Sequence, residues 1–196
     1  MPRLTPPARE TLPADLQPIF DSAESYMGFV ANDALTMALK PELLKAALPF
    51  MRSIYSHGRV SFDLKRLVAM MSSWASGCQY CVAHTAHGAH LLGVSAEKIQ
   101  ALPLFDSSAH YTPAERAALQ VARSAGQVPN AVTDEEFREL RRWFDDEQVV
   151  EIVAVISLFG FLNRWNATFA TELEQSPLRF AQGNLAASGW VPGVHR

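Results

Sequence analysis

Residues 77–90 read Gly77-Cys78-Gln79-Tyr80-Cys81-Val82-Ala83-His84-Thr85-Ala86-His87-Gly88-Ala89-His90, and they contain both cysteines of the chain and three of its six histidines. Apolar side chains before this stretch recur at the spacing of a helix with one inward face: Leu64, Leu67, Val68 and Met71. Gly77 interrupts that helix, and Cys78 begins a second one. The stretch therefore predicts two consecutive helices that meet at a glycine, with the cysteines at the start of the second.

The spacing of the two cysteines favours a redox role. Cys78 and Cys81 are three residues apart, which places their sulfurs side by side in the first turn of a helix. Such a pair closes a disulfide without unwinding the helix, and the positive end of the helix dipole favours a thiolate there. The alternative is that both are ordinary small buried side chains. We interpret the pair as a redox dithiol.

Zinc binding is a rival chemical interpretation of the same stretch, because cysteine and histidine recur at every third position. Each step of three residues turns about 300°, and the five positions span about 18 Å of helix axis. Four of them therefore do not converge on one tetrahedral ion. The chain has no other cysteine to complete a site, so we predict no metal.

Composition limits the function classes. A chain of 196 residues with 48% hydrophobic residues is long enough for one core and short for two. The net charge of −3 gives no general attraction to nucleic acid or to an anionic membrane. The first residues lack an apolar signal segment, and the longest apolar run, residues 152–162, is short for a membrane span. We expect a cytoplasmic protein, in which cysteines stay reduced unless they are functional.

The rest of the chain predicts a single all-α domain. Three capping boxes, which start at Thr112, Thr133 and Asp145, mark helix beginnings. The last of these helices is expected to run to about Glu174 and is apolar on nearly all sides over 149–162, which is typical of a central helix or a subunit contact. We expect an extended arm over 1–13, a helical domain over 14–176 and an irregular tail over 177–196. A turn is predicted at 56–58, and Tyr26 is predicted to point inward.

Together these features resemble one family. The helix–Gly–Cys-x-x-Cys–His helix looks like the core of the AhpD-like, carboxymuconolactone-decarboxylase-type family. Its C-terminal half is similar to three segments here: Pro113-Ala114-Glu115-Arg116-Ala117-Ala118-Leu119, Val132-Thr133-Asp134, and residues 149–166, which end in Leu162-Asn163-Arg164-Trp165-Asn166. The resemblance covers about residues 25–175. The ending Gly189-Trp190-Val191-Pro192-Gly193 resembles a subgroup described as peroxidase-related.

The resemblance implies an all-helical protomer that assembles into a trimer or a larger ring such as a hexamer. Redox members of the family reduce peroxides with the cysteine pair and are re-reduced by a thioredoxin-like or lipoyl-type dithiol donor, without metal or organic cofactor. The decarboxylase branch acts on a lactone acid and lacks the pair. The cysteines of this chain therefore favour the redox branch.

Two positions depart from the family pattern. The glutamate that the family places twelve residues before the first cysteine is Arg66 here, and the nearest acid is Asp63. The family histidine position, four residues after the second cysteine, is Thr85, whereas His84 lies one residue earlier and is still within helical reach of Cys81. Arg66 either lowers a thiol pKa or is a solvated surface charge.

We predict that the chemistry runs through Cys78, Cys81 and His84, with His84 as acid or base. We expect Cys81 to be the attacking thiolate, because it is within reach of His84, and Cys78 to be more exposed. Three further residues are predicted as supporting ones: His87, Arg66 and Asn163. His87 is also readable as structural, and Asn163 with Asn166 forms either a hydrogen-bonded lock or part of a pocket wall.

The sequence thus predicts a thiol-dependent peroxide reductase of the alkylhydroperoxidase type, with an organic hydroperoxide as substrate. Three alternatives stay open. One is a lactone-decarboxylase-like, non-redox enzyme, and another is a redox-sensing or scaffolding oligomer whose disulfide changes assembly. The third is a zinc-binding protein.

Overall fold

Helices make up the regular structure of the chain. The computed structural model describes residues 1–55 and 58–196, and of Tyr26 only the backbone. These residues form ten α-helices and no strand: α1 Gln17–Met27, α2 Asn32–Met37, α3 Pro41–Tyr55, α4 Phe62–Ala75, α5 Gln79–Leu91, α6 Ala96–Gln100, α7 Pro113–Ala125, α8 Asp134–Trp143, α9 Asp146–Phe169 and α10 Gln175–Asn184. The all-α prediction is confirmed for this part of the chain. Ser56, His57 and the side chain of Tyr26, for which we had predictions, lie outside it.

The predicted capping boxes begin α7, α8 and α9. At α7, the Thr112 hydroxyl accepts the Glu115 N–H (3.2 Å) and the Glu115 carboxylate accepts the Thr112 N–H (2.8 Å). The boxes that start at Thr133 and Asp145 have the same reciprocal bonds. Each such cap contributes about 1 kcal/mol by pairing N–H groups that a helix start leaves without a partner. The sequence therefore placed these helix starts correctly.

α4 is the central helix of the fold. It packs against α5, α7 and α9, and its residues Leu67, Val68, Ala69 and Met70 are fully buried. Lys65 of α4 is also buried, and its ammonium lies 2.8 Å from the Glu151 carboxylate of α9. α4, which leads into the cysteines, and α9, in the C-terminal half of the chain, are thus joined by apolar packing and by a buried ion pair.

The C-terminal part differs from the prediction. α9 ends at Phe169, before Glu174, because Ala170 adopts a left-handed conformation (φ 49°). The expected irregular tail is wrong for its first half, which forms α10. Pro177 lies in the first turn, where its missing N–H is harmless. Pro177, Ala181 and Leu185 recur every four residues and are buried, and this packing outweighs the unfavourable composition.

α9 is covered on one side only. Ile152, Val155 and Leu158 are in the core, whereas Val150 is 67% exposed and Phe161 43% exposed. By length and composition α9 is the one helix of the described residues that could cross a bilayer. A buried core helix meets the same criteria, so this observation assigns no membrane location. The exposed apolar side of α9 points away from the other helices of the protomer.

Candidate dithiol site

Both cysteines lie at the junction of α4 and α5. Gly77 (φ 74°) takes up the left-handed conformation that turns the chain between the helices. The Cys78 N–H then donates to the Ser73 carbonyl (3.1 Å), and Cys78 becomes the N-cap of α5, with Cys81 one turn later. Both are free thiols and are 1% and 3% exposed. The expectation that Cys78 is the more exposed thiol is wrong, because C-terminal residues cover this end of α5.

The two thiols have opposite pKa shifts. A hydrogen bond from the Cys81 thiol outweighs burial and lowers the pKa of Cys78 to about 5, with a further contribution from His195. Burial, followed by the neighbouring Cys78, raises the pKa of Cys81 well above its ordinary value. These directions make Cys78, rather than Cys81, the more acidic thiol of the pair. Which of the two attacks first stays a prediction.

The C-terminal residues bring His195 to the dithiol. The Trp190 indole N–H donates to the Gln79 carbonyl (3.3 Å) at the start of α5. His195 is 2% exposed, its Nδ1 lies 2.8 Å from the Thr171 carbonyl oxygen, and its ring is 5.8 Å from that of Tyr80. Nδ1–H donates to this carbonyl, and a hydrogen bond between His195 and Cys78 contributes to the lowered pKa of Cys78. This residue was not predicted as part of the site.

His84 pairs with a carboxylate from a distant part of the chain. Its Nε2 lies 2.5 Å from Oε2 of Glu174, the N-cap residue of α10. Burial opposes the charged imidazole, but Glu174 outweighs it and the pKa of His84 is raised. Burial opposes the charged Glu174 carboxylate, but His84 and backbone N–H donors, among them that of Asn32, together lower its pKa. The His84 ring also stacks on Tyr80, with centroids 4.2 Å apart.

Glu174 is held by two further donors. The Asn32 N–H and the Tyr80 hydroxyl donate to its Oε1 at 2.5 Å and 2.9 Å. A carboxylate that accepts three hydrogen bonds is fixed in one orientation. Glu174 therefore fixes the orientation of the His84 ring.

A second carboxylate, that of Asp33, belongs to a hydrogen-bonded group that includes Cys81. Asn166 of α9 is fully buried, and its Nδ2 donates to Asp33 Oδ2 (3.3 Å) and to Cys81 Sγ (3.4 Å). Burial raises the pKa of Asp33, against the opposing charge of His84. Asp33, Asn166 and Cys81 thus form a connected polar group on the buried side of α5.

Arg66 is not a solvated surface charge. Its guanidinium lies over the Tyr55 ring (4.7 Å to the centroid) and against Gly88 of α5, where an added Cβ would approach it to 3.3 Å. Its charge acts on His84, whose pKa it lowers, and on Tyr55, whose pKa it lowers against the dominant effect of burial. It therefore lies beside the site, but the thiol pKa values have other causes.

His87 and Asn163 lie outside the dithiol contacts. His87 packs between Phe29 and Phe180, with centroids 6.1 Å and 5.9 Å away, and burial lowers its pKa. Asn163 is 4% exposed and lines a separate cavity. Of the six predicted residues, Cys78 and Cys81 interact with each other, whereas His84 lies one turn further along the same helix and pairs with Glu174. Arg66 acts electrostatically on His84.

Sequence reasoning missed the carboxylates because they come from elsewhere in the chain. Glu174 and Asp33 are 90 and 51 residues from His84. Glu174 contacts His84, and Asp33 contacts Asn166 beside Cys81. The C-terminal segment Trp190-Val191-Pro192-Gly193 resembles the peroxidase-related subgroup. It was the one sequence signal that could have indicated a role for His195. Among the described residues, no group of three or more His, Cys, Asp or Glu side chains is arranged to hold a metal ion.

The chain resembles proteins with the same fold over most of its length. The sequence profile of the carboxymuconolactone decarboxylase family matches residues 41–124. A crystal structure of the debrominase Bmp8 in complex with 2,3,4-tribromopyrrole is 36% identical, with a TM-score of 0.84 over 91% of this chain and 95% of that one. The chain belongs to the carboxymuconolactone decarboxylase family. The predicted resemblance is confirmed.

Two other relatives are more distant. An uncharacterised peroxidase-related protein of Ralstonia eutropha JMP134 with an alkylhydroperoxidase AhpD core is 23% identical, with a TM-score of 0.82 over 94% of this chain and 97% of that one. At this identity it shows the fold alone. The uncharacterised protein YdfG of Bacillus subtilis is 26% identical over 76% of this chain and 93% of its own length. The AhpD-like helical fold is thus shared with a debrominase and with an uncharacterised peroxidase-related protein.

Proposed function

We propose that this chain is a dithiol oxidoreductase that reduces an organic hydroperoxide through Cys78 and Cys81. The observation that carries the proposal is the opposed ionisation of the pair: the pKa of Cys78 is lowered to about 5, and that of Cys81 is raised. A thiolate beside a protonated thiol is the state that a two-step thiol reduction requires. At neutral pH this pair is ready to react without any proton leaving the site first.

The proposed reaction consumes one peroxide and two thiols. The Cys78 thiolate attacks the outer peroxide oxygen, the S–O bond forms, the O–O bond breaks, and the departing alkoxide takes a proton to become an alcohol. The Cys81 thiol then attacks the sulfur of the Cys78 sulfenic acid. Its proton leaves with the hydroxyl group as water, and a Cys78–Cys81 disulfide remains. Two electrons have passed from the thiols to the peroxide.

His84 is the proposed proton source for the alkoxide. Its pKa is raised by Glu174 against the effect of burial, which favours the protonated imidazole. Its position one turn after Cys81, on the same helix, supports this role. Burial and the neighbouring Cys78 would hold the second thiol in its protonated form until the sulfenic acid appears.

The disulfide must be reduced for a second turnover. We expect a thioredoxin-like or lipoyl-type dithiol to do this by thiol–disulfide exchange, in a reducing compartment such as the cytoplasm. The exposed apolar side of α9, with Val150, Val153 and Phe161, supports assembly into a homo-oligomer, for which we expect a trimer or hexamer. Light scattering of the purified protein measures the assembly directly.

Reductive debromination is the second candidate. The observation that favours it is the 36% identity with a debrominase over 91% of the chain. The same thiolate could attack the bromine of a bromopyrrole, so that the S–Br bond forms, the C–Br bond breaks and the ring carbon takes a proton. Cys81 would then displace bromide, lose its proton and close the disulfide. Both reactions use one dithiol and differ in the leaving group.

One experiment distinguishes these reactions and the non-redox alternatives. Reduced protein, freed of reductant, is mixed with cumene hydroperoxide or with 2,3,4-tribromopyrrole, and thiols and products are counted after one turnover. Peroxide reduction predicts one alcohol formed for two thiols lost, and none in Cys78→Ser. Bromide release for two thiols lost would favour debromination. If the thiols survive both substrates, the redox proposal is wrong, and a lactone-decarboxylase-like enzyme, which would tolerate serine at both positions, becomes the better account.

A further inference from the structure

A short C-terminal segment covers the start of the dithiol helix. Residues 189–196, which we call the C-terminal strap, follow α10 and reach the first turn of α5. Two of their side chains are buried, Trp190 at 3% and His195 at 2% exposed, whereas Val191 and Val194 are 56% and 52% exposed. The strap is therefore a thin cover that is anchored by two buried side chains.

Hydrogen bonds attach the strap at both of these side chains. The Trp190 indole N–H donates to the Gln79 carbonyl (3.3 Å) at the start of α5. The His195 Nδ1–H donates to the Thr171 carbonyl (2.8 Å), and the His195 carbonyl accepts the Leu173 N–H (3.1 Å). None of these three bonds involves a sulfur atom, so the oxidation state of the cysteines does not change the groups that make them.

The bond between His195 and Cys78 is different, because it depends on the thiolate. It helps to lower the pKa of Cys78, and the charge of His195 acts in the same direction. By linkage, a contact that favours the thiolate is itself stronger when the thiolate is present. In a disulfide the Cys78 sulfur has no charge and is bonded to Cys81, so the charge-assisted hydrogen bond is lost. Oxidation thus removes one attachment of the strap and leaves the others.

The strap has room to move. Gly189 begins it in the left-handed conformation (φ 85°), which glycine enters and leaves without the steric cost of a Cβ. A cavity of about 400 Å³ is lined both by Leu178 and Gln182 of α10 and by Pro192 and His195 of the strap. Packing between the strap and α10 is therefore incomplete here, and the hydrogen bonds described above hold the strap in place.

We infer that the C-terminal strap is released by oxidation: it covers the reduced dithiol and leaves α5 when the Cys78–Cys81 disulfide forms. The inference deepens the proposed function, on which it rests, because it names the event that admits the reducing partner. A hydroperoxide is small enough to enter during brief local openings. A dithiol donor is larger and must align its own thiolate with the disulfide, whose sulfur-bearing residues are 1% and 3% exposed while the strap is in place.

Strap release lets thiol–disulfide exchange proceed. The donor thiolate attacks one sulfur and the Cys78–Cys81 bond breaks. The second donor thiol then displaces the cysteine from the mixed disulfide. The donor is oxidised to its own disulfide, and its two electrons and two protons pass to the cysteines. The thiolate that returns at Cys78 restores the bond to His195, and the strap closes again.

Hydrogen–deuterium exchange of the full-length chain tests the inference, read by mass spectrometry on the peptide that contains residues 189–196. The chain is compared in its reduced form and after oxidation by diamide, which takes two electrons and two protons from a dithiol, and thiols are counted in both. Exchange in the strap should become about tenfold faster on oxidation, and exchange in α7 should stay unchanged. The double variant Cys78→Ser/Cys81→Ser, treated with diamide in the same way, is the control and should show no difference.

The variant His195→Phe separates the bond to the thiolate from the packing of the strap. It keeps a buried ring but cannot bond to Cys78, so the strap should exchange faster in the reduced form and the difference between the two redox forms should disappear. Val194→Ser changes an exposed residue of the strap, is the matched control, and should keep the full difference. A redox difference that persists in His195→Phe would contradict the assigned cause.

The outcomes distinguish the strap from the proposed reaction. A disulfide that forms with diamide while the strap stays protected would overturn the inference and leave the proposed function intact. Strap release with diamide, together with thiols that survive the hydroperoxide, would support the strap and contradict the peroxide reaction. Thiols that survive diamide as well would overturn both.

Discussion

The imidazole Nε2 of His84 lies 2.5 Å from the Oε2 atom of Glu174, although 90 residues separate the two in the chain. His84 is on the helix that carries the cysteines, and Glu174 begins the last helix. The pair is buried, with side-chain exposures of 16% and 9%. It therefore fixes both the charge of His84 and the docking of the C-terminal segment.

Replacement Glu174→Gln should remove the stabilising charge from His84. In the wild type the His84 pKa is raised above 6.5 and the Glu174 pKa is lowered below 4.5. The histidine contribution to stability is complete below its unfolded value and is lost as pH rises through the raised folded pKa. The glutamate contribution is complete above its unfolded value and is lost as pH falls through the lowered folded pKa. Breaking the pair should reduce the free energy of unfolding by about 3 kcal/mol.

The largest difference between wild type and Glu174→Gln should therefore lie between these two unfolded pKa values and should shrink at alkaline pH. Urea unfolding over a pH series measures it, and NMR should show a lower His84 pKa in the variant. Glu172→Gln, which changes an exposed acid nearby, is the control. An unchanged His84 pKa in Glu174→Gln would contradict the assignment.

The two thiols should ionise in separate steps. Ultraviolet absorbance of the thiolate should show one group titrating near pH 5, the value of Cys78, and no second group until well above the ordinary cysteine pKa. Cys78→Ser should lose the acidic step, whereas Cys81→Ser should keep a thiolate, though a less acidic one. Simultaneous ionisation of both thiols would show that the Cys78–Cys81 hydrogen bond does not exist in solution.

His195→Phe should make Cys78 a weaker acid. The phenylalanine keeps a buried ring in the tail but removes the hydrogen bond and the charge that help to lower the Cys78 pKa. The rate of peroxide consumption in one turnover should fall about tenfold at weakly acidic pH and recover as pH rises. Arg196→Gln, in the exposed last residue, is the control. Equal loss at all pH values would indicate a packing role only.

Asn166→Leu should slow the resolving step. The amide of Asn166 donates to Cys81 and opposes the rise of its pKa, so the variant thiol ionises less readily. The sulfenic acid of Cys78 should then accumulate after one equivalent of peroxide and should be trapped by dimedone, with mass spectrometry as the readout. Thr168→Ala on the exposed side of α9 is the control. Disulfide formation as fast as in the wild type would exclude this role.

Lys65→Met should destabilise the fold without changing the dithiol. Lys65 is 2% exposed, its ammonium is 2.8 Å from Glu151, and it also donates to the Ile54 carbonyl (2.9 Å). Removing it leaves a carboxylate without its cation, which should reduce the free energy of unfolding by about 3 kcal/mol. Denaturant unfolding measures this loss, with Lys40→Met at an exposed position as the control. A loss below about 1 kcal/mol would mean that Glu151 is satisfied by water or by the Arg59 and Val60 N–H groups.

Local signals predicted most helix starts. Thr112, Thr133 and Asp145 each pair with a residue three positions later, and this contact needs nothing beyond one helical turn. The end of α9 and the formation of α10 were missed, because both depend on packing. Ala181 and Leu185 are fully buried and hold α10 against the core. Pro177 and Gly183, which are unfavourable in helices, concealed the apolar periodicity of α10 in the sequence.

The sequence by itself determined the helical class, the family and the Cys78–Cys81 pair, because helix periodicity, capping and i,i+3 spacing act between residues that are close in the chain. The tertiary structure alone decided which thiol is the more acidic and which acid faces His84. Those properties depend on burial and on the charges of Glu174, Asp33 and His195, which distant segments bring to one helix end. Electrostatic interactions depend on distance in space and on the solvent around each group, and a linear sequence contains neither.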